Sequence, residues 1–314
     1  MRYLESDLRP RISKIGLGTW QFGSREWGYG DRYAHEESAR IVERAFELGV
    51  TLFDTAEIYA LGRSERILGR ALAGRREQAF VATKIFPLLP TARVVEWRGR
   101  ASVRRLGVER LDLYQLHWPN PVVRAGPTMR GMRALQARGL VGEVGVSNYS
   151  LARWRSAEAA LGDRVLSNQV RYSLVDRRPE RDLIPYAIRH GRLVIAYSPL
   201  AQGFLSARYE PGRLPANRMR RRSRLFGRES FARADALLRA LREIAVAHDA
   251  TPAQVALAWT IREPCVVAIP GASTVAQLEA NAAAAELRLG AEDLNALDSA
   301  STAYAGLASL GRES

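Results

Sequence analysis

The chain has 314 residues, 47% of them apolar and 25% charged, the balance of a soluble globular protein able to bury a large core. Its formal net charge is +14, but every basic residue except Lys14 and Lys84 is arginine, and most of these are scattered along helical segments, so no nucleic-acid partner is expected. Cys265 is the single cysteine, which excludes a disulfide framework and a cysteine-rich zinc site and fits a reducing cytoplasm.

No apolar run approaches the length of a membrane span, and the opening MRYLESDLRP has no apolar signal-peptide segment. Residues 1–13 read as a lead-in, a hairpin closing the base of the fold. The first strand is KIGLGTW (14–20), and HEESARIVERAFELG is a helix with early acids and Gly49 as its stop. TLFDT (51–55) is the second strand, and SERILGRAL starts as a helix at Ser64, read as its N-cap. AFVATK (79–84), DLYQLH (112–117), GEVGVSN (142–148), VLSNQ (165–169) and LVIAYSP (193–199) follow as strands. An irregular stretch covers residues 201–228. TPAQVALAW then begins a helix with Pro252 just inside a Thr251 cap, and VVAIPG (266–271) is the eighth strand.

Strands alternating with helices at this spacing indicate βα units and a parallel sheet. Eight units match a (β/α)8 barrel of the TIM type, read as a single domain over residues 1–314. The G-x-G-x-x-G turn of a dinucleotide-binding open sheet is missing after the first strand, which leads instead into WQFGSREWGYG.

In such a barrel the chemistry gathers at the C-terminal ends of the strands. Those ends carry Asp54, Lys84, His117, Ser147 with Asn148, Gln169, and Tyr197 with Ser198, and Tyr59 lies five residues beyond Asp54. Taken singly, each has a bland explanation as a turn or cap residue. Together, an acid, a lysine, a histidine and a tyrosine on one rim are hard to explain that way. Lys84 weighs most, because a chain that uses arginine almost everywhere keeps a lysine here, where a compact ammonium cannot be replaced by a guanidinium. A phenol titrates near 10 and is a poor acid at neutral pH; a neighbouring ammonium lowers that value, and a carboxylate keeps the ammonium charged. Tyr59, Lys84 and Asp54 are therefore expected to form a proton-donating set, with His117 orienting a carbonyl oxygen. No metal is expected, since no cluster has zinc-ligand spacing.

These segments resemble the aldo-keto reductases. LFDTAEIYALGRSE, VATK and LDLYQLHWPNP resemble the family's Asp–Tyr, lysine and histidine segments. GEVGVSNYS, SNQVRYSL, AYSPLAQGFL and IPGASTVAQLEAN resemble its cofactor-side segments, in the same order, over residues 15–281. The resemblance implies an NADPH-dependent carbonyl reductase with Asp54, Tyr59, Lys84 and His117 as its tetrad. It further implies Ser147, Asn148 and Gln169 around the nicotinamide carboxamide and Tyr197 against the ring. Ser198, Leu200 and Gly203 would line the pyrophosphate path, and Gly271, Ser273, Gln277 and Asn281 the phosphate end. Many members place Arg or Lys where this chain has Ser273; others pair a serine with basic residues after strand seven, and NRMRRRSR (217–224) is available here. NADPH is therefore expected over NADH. Trp20, Trp27, Tyr29 and Trp118 are candidate walls of an aromatic substrate pocket, and the C-terminal tail is given no part in the site. Aldehydes, ketones and keto-sugars remain open as substrates, and the oligomeric state is not legible. Three competing readings stand beside the reductase: a regulatory protein that keeps the cofactor but hardly turns over, nucleic-acid binding through the arginine-rich loop at 217–224, and a barrel enzyme using Lys84 as a Schiff-base amine.

Overall fold

The computed structural model describes residues 1–23, 31–215, 218–221 and 223–310. At its centre is an eight-stranded sheet of β1 (Leu17–Gly18), β2 (Leu52–Asp54), β3 (Phe80–Ile85), β4 (Leu111–Leu116), β5 (Val141–Ser147), β6 (Ser167–Arg171), β7 (Leu193–Tyr197) and β8 (Val266–Ala268). Each strand pairs in parallel with its sequence neighbours. Parallel bridges from Ile15 to Ala268 and from Gly18 to Gly271 join the last strand to the first, so the sheet curls shut. This is the (β/α)8 barrel expected from the sequence.

Parallel neighbours need crossovers, and helices supply them. They are α1 (Asp31–Glu47), α2 (Arg63–Ala71), α3 (Ala92–Leu106), α4 (Ala125–Ala137), α5 (Leu151–Leu161) and α6 (Leu183–His190). After β7 come α7 (Arg218–Arg221), α8 (Arg228–Ala247) and α9 (Pro252–Thr260), and after β8 come α10 (Val275–Ala283) and α11 (Ala291–Leu310). No helix among the described residues is long and apolar enough to cross a membrane.

Alternate strand residues face opposite ways. Phe53, Val81, Tyr114, Val144, Val146 and Val194 pack in the layer beneath the helices. Leu52, Phe80, Ala82, Leu113, Leu193, Ile195 and Val267 form a second cluster inside the barrel, joined by Leu4 and Ile12 of the lead-in. Full burial of each such side chain contributes about 1.5–3 kcal/mol. The lead-in folds back through an antiparallel Tyr3–Ser13 bridge, with Leu4 N donating to Ile12 O at 2.8 Å, and closes the base as a hairpin. The apolar half of the barrel is thus at its base, leaving the polar inward residues for the mouth.

Two of the sequence-level caps hold. Gly49 ends α1 at a φ of +75°, and Thr251 forms a reciprocal capping box with Gln254. The third is corrected. Gly62, at a φ of +80°, caps α2, while Ser64 is buried inside the helix, donating to Thr19 O at 2.8 Å and lying within 3.0 Å of the Thr19 and Thr55 hydroxyls. Three hydroxyls from three segments satisfy one another there, and burial overrides the local cap signal.

Candidate active site

The inward row of each strand continues past the apolar cluster into polar groups. On β2 it ends at Asp54, on β3 at Lys84, on β4 at Gln115 and then His117, on β5 at Ser147, and on β6 at Ser167 and Gln169. Parallel register sets Lys84 opposite Gln115 and Ser147 opposite Gln169, so these groups share one layer. Gly145 makes room for it: a Cβ there would meet Ser167 Oγ at 2.3 Å and Gln115 Cγ at 2.8 Å.

Lys84 is the hub of this layer. Its Nζ donates to Asp54 Oδ1 at 2.5 Å, to Thr55 O at 2.9 Å and to Tyr59 Oη at 3.5 Å, and the side chain is wholly buried. The other carboxylate oxygen, Asp54 Oδ2, accepts from Gln169 Nε2 at 2.8 Å. Gln115 lies beside the same carboxylate; its Nε2 makes no well-formed hydrogen bond among the described residues, yet its proximity still helps to hold Asp54 ionised.

Burial opposes charge on Lys84, but Asp54, with help from Tyr59, outweighs it and holds the ammonium above the ordinary lysine value. Burial also pushes the Asp54 carboxyl up, against the pull of Lys84. A lysine held charged by a carboxylate at 2.5 Å is a poor nucleophile, which weighs against Schiff-base chemistry. For Tyr59 the sequence expectation is corrected in sign. Lys84 does pull the phenol down, but burial is the larger effect and the net direction is upward. The phenol therefore keeps its proton through neutral pH.

His117 completes the set. It is 5% exposed, its ring stands edge-on to Tyr59 with centroids 5.7 Å apart, and it stacks on Trp118 at 3.8 Å. Burial first, then the Lys84 charge, pulls its pKa down to about 2, so the imidazole is neutral. Its Nδ1 is buried without a hydrogen-bond partner among the described residues. Trp20 comes within 6.5 Å of Tyr59, and both Trp20 and Trp118 are exposed, so two of the four aromatic candidates flank the tetrad. Trp27 and Tyr29 lie outside the described residues.

The remaining predicted residues form three groups. In the first, Ser147 Oγ donates to Gln169 O at 2.9 Å, Asn148 Nδ2 donates to Ser147 Oγ and His117 O at 3.1 Å, and Tyr197 Oη donates to Asn148 Oδ1 at 2.9 Å. Asn148 adopts a left-handed φ of +60°, which asparagine tolerates. The structure thus links Ser147, Asn148, Gln169 and Tyr197 in one network.

In the second, Ser198, Ala201, Gln202 and Gly203 all have positive φ, folding the chain back after β7. The amide of Gly203 closes a turn on Leu200 O at 2.9 Å, so it is not free, and what the residue brings to this turn is its conformation and its lack of a side chain. A Cβ on it would come within 4.0 Å of guanidinium nitrogens of both Arg208 and Arg220. Beside this turn, a cavity of about 370 Å³ takes in Ser198, Arg171, Arg224, Arg233 and Tyr304. Tyr304 belongs to the C-terminal helix, so the tail does reach the rim of the predicted cofactor side.

At the end of β8, Ser273 N donates to Gln277 Oε1 at 2.9 Å and Asn281 Nδ2 donates to Gly271 O at 3.4 Å. Gln21, unnoticed in the sequence, ties the first loop to this one by donating to Ala272 O at 2.6 Å. A groove of about 600 Å³ lined by Arg66, Arg70, Arg104 and Arg105 lies where α2 and α3 end, at the base of the barrel, and holds none of these groups.

Sequence reasoning also missed Gln115, although the period-two row Leu113–Gln115–His117 was there to be read. Glu57 and Arg98 gave no signal beyond an ordinary loop acid and helix arginine.

Residues 14–302 match the model of the aldo/keto reductase family. An uncharacterized oxidoreductase of Mycobacterium tuberculosis, Rv2298, is 56% identical over 304 residues, covering 97% of this chain and 94% of that protein. The methylglyoxal reductase YeaE of Escherichia coli is 35% identical over 302 residues, covering 95% of this chain and 94% of that protein. A crystal structure of an aldo-keto reductase from Klebsiella pneumoniae in complex with NADPH matches with a TM-score of 0.78 at 30% identity, covering 95% of both chains.

Proposed function

This chain belongs to the aldo/keto reductase family and is an oxidoreductase, and on that premise we propose that it reduces a small aldehyde or ketone with NADPH, Tyr59 delivering the proton. The observation that carries the reading is the placement of Lys84 Nζ between Asp54 Oδ1 at 2.5 Å and Tyr59 Oη at 3.5 Å, at the mouth of the barrel.

The residues present fit the cofactor. Ser147, Asn148 and Gln169 offer the mixed donors and acceptors a carboxamide needs, by exchanging contacts they now make with one another and with Asp54. Tyr197 stands at the same rim. Gly203 leaves the space a Cβ would fill, next to the guanidinium ends of Arg208 and Arg220, which suits a phosphate. Ser198 and Arg224 share the adjoining cavity, and Gly271 and Ser273 lead into α10, which carries Gln277 and Asn281. With only a hydroxyl at Ser273, selectivity for the 2′-phosphate falls to Arg220 and Arg224 within the 217–224 run. NADPH, when bound, supplies the hydride.

The protein's own part is the oxygen. The neutral imidazole of His117 donates a hydrogen bond to the carbonyl oxygen and aligns it. As negative charge builds there, Tyr59 Oη gives up its proton, and Lys84 stabilises the phenolate left behind. Asp54 keeps Lys84 charged and in place. Trp20 and Trp118 exclude water from one side of the reacting group.

The name of the Escherichia coli relative makes methylglyoxal the first substrate to assay. Purified protein mixed with NADPH and methylglyoxal, or with a simple aldehyde, should consume NADPH over many turnovers and yield one equivalent of alcohol per equivalent consumed. NADPH binding without turnover on any aldehyde or ketone would favour a regulatory role instead. Borohydride trapping of a substrate on Lys84 would favour Schiff-base chemistry.

A further inference from the structure

The segment that carries Tyr59 is held by one helix at two points. Residues Ala60, Leu61 and Gly62 all have positive φ, and Leu61 is 88% exposed. Left-handed non-glycine residues are strained and persist only where their surroundings hold them. Helix α3 does the holding. Past Tyr59, Arg105 pairs with the buried Glu65, and its side chain lies where a Cβ on Gly62 would be, at 2.7 Å. Before Tyr59, Arg98 grips Glu57.

The grip of Arg98 is the more specific. Its Nη2 lies 2.6 Å from Glu57 Oε1 and its Nε 3.0 Å from Glu57 Oε2, while Nη1 donates to Phe86 O at 2.9 Å. Glu57 Oε1 in turn accepts from Phe86 N at 2.5 Å. Arg98 and Glu57 thus clasp both backbone groups of Phe86, two residues after Lys84, and tie the loop after β2 to the loop after β3. The clasp reaches further: the Phe86 ring stands edge-on to Trp118 at 6.0 Å, and Trp118 stacks on His117. Asn120 fastens the loop after β4 to the same place by donating to Pro87 O at 2.7 Å.

A buried ion pair adds little net stability over an apolar pair of similar volume. A bidentate arginine does fix geometry, because its donors point in set directions. We propose that Arg98 is a positioning residue for proton delivery: through Glu57 it sets where Tyr59 stands, and through Phe86 and Trp118 it sets where His117 stands, both relative to Lys84. The inference rests on the assignment of Tyr59 as the acid.

The test compares Arg98→Gln with the native enzyme and with Arg100→Gln, a change on the exposed face of the same helix. A displacement of about 1 Å at a reacting group costs up to roughly 100-fold in rate. Arg98→Gln is therefore expected to lower kcat by about 10- to 100-fold while the Kd for NADPH, read from tryptophan fluorescence without substrate, stays within about twofold. The solvent deuterium isotope effect on kcat should rise, because proton delivery becomes slower. Arg98→Lys should rescue little, having no fork to hold Glu57 and Phe86 together. Arg100→Gln should match the native enzyme.

Unchanged kcat and isotope effect in folded Arg98→Gln would overturn the proposal. So would a fall in kcat matched by equal losses in cofactor affinity and Tm, the signature of a purely structural role. If Arg98→Gln does not fold, Glu57→Gln, which keeps shape but loses the charge pair, is read by the same criteria. Tyr59→Phe is assayed in parallel. Retained activity in that variant removes the acid assignment itself; its loss together with a normal Arg98→Gln removes only the positioning claim.

Discussion

The ammonium of Lys84 lies 2.5 Å from the carboxylate of Asp54, and neither side chain has more than a trace of solvent contact. Removing one partner strands a buried charge, which costs about 3–5 kcal/mol, whereas removing both costs much less. Asp54→Asn should therefore be strongly destabilised in urea unfolding, and adding Lys84→Met should recover most of the loss. Neither protein should reduce a carbonyl. Equal stability of the single and double variants would mean that the pair is not coupled as the distance implies.

His117 makes acid stability diagnostic. Its folded value is depressed to about 2 from the ordinary histidine value of about 6.5, so below about pH 6.5 the unfolded chain binds a proton that the folded chain refuses. Stability from this group is complete above that pH and is lost as pH falls, by up to about 1.4 kcal/mol per unit. Unfolding curves at about pH 7 and about pH 5 should show a larger drop for the native protein than for His117→Gln. Parallel drops would place the histidine in a more solvated setting than the structure gives it.

The upward direction at Tyr59 bears on the rate profile. An acid whose value lies above that of an ordinary phenol stays protonated to high pH, so kcat/KM for reduction should not fall between about pH 6 and about pH 9 through loss of this proton. Alcohol oxidation by the same enzyme needs the phenolate and should rise across that range. A reduction rate that falls away as pH rises from about 6 to about 8 through loss of this proton would contradict the raised value.

On the proposed cofactor placement, Arg220 and Arg224 are expected to separate the two cofactors. A hydrogen bond to a charged group contributes about 1.5–3 kcal/mol, so replacing either arginine that meets the 2′-phosphate with Gln should weaken NADPH by at least about 10-fold. NADH binding should barely change. Equal weakening of both would move that arginine to the pyrophosphate, which the two cofactors share.

Much of this site can be read from the chain because strand residues alternate and chemistry collects where strands end. Asp54, Lys84 and His117 are each the last inward residue of an apolar run, and the structure brings all three to one rim. What could not be read depends on depth or on distant contacts. The sign of the Tyr59 shift is a contest between burial and the Lys84 charge, and burial depth is a tertiary quantity. The Glu57–Arg98 pair joins residues 41 apart, one on a loop and one on a helix already rich in arginine. Ser64 carries a good local cap signal, yet it is buried against Thr19 and Thr55, where tertiary contact wins over propensity. Tyr304 reaches the cavity beside Ser198 only because α11 packs against α8, a docking that no local pattern announces.

The most direct test of the account is steady-state reduction of a simple aldehyde by Tyr59→Phe, with NADPH binding followed separately by tryptophan fluorescence. General acid catalysis contributes about 10²–10⁴-fold, so kcat/KM should fall by that factor while the Kd for NADPH stays within a few-fold. A variant that binds NADPH normally and reduces the aldehyde at close to the native rate would show that the proton comes from elsewhere.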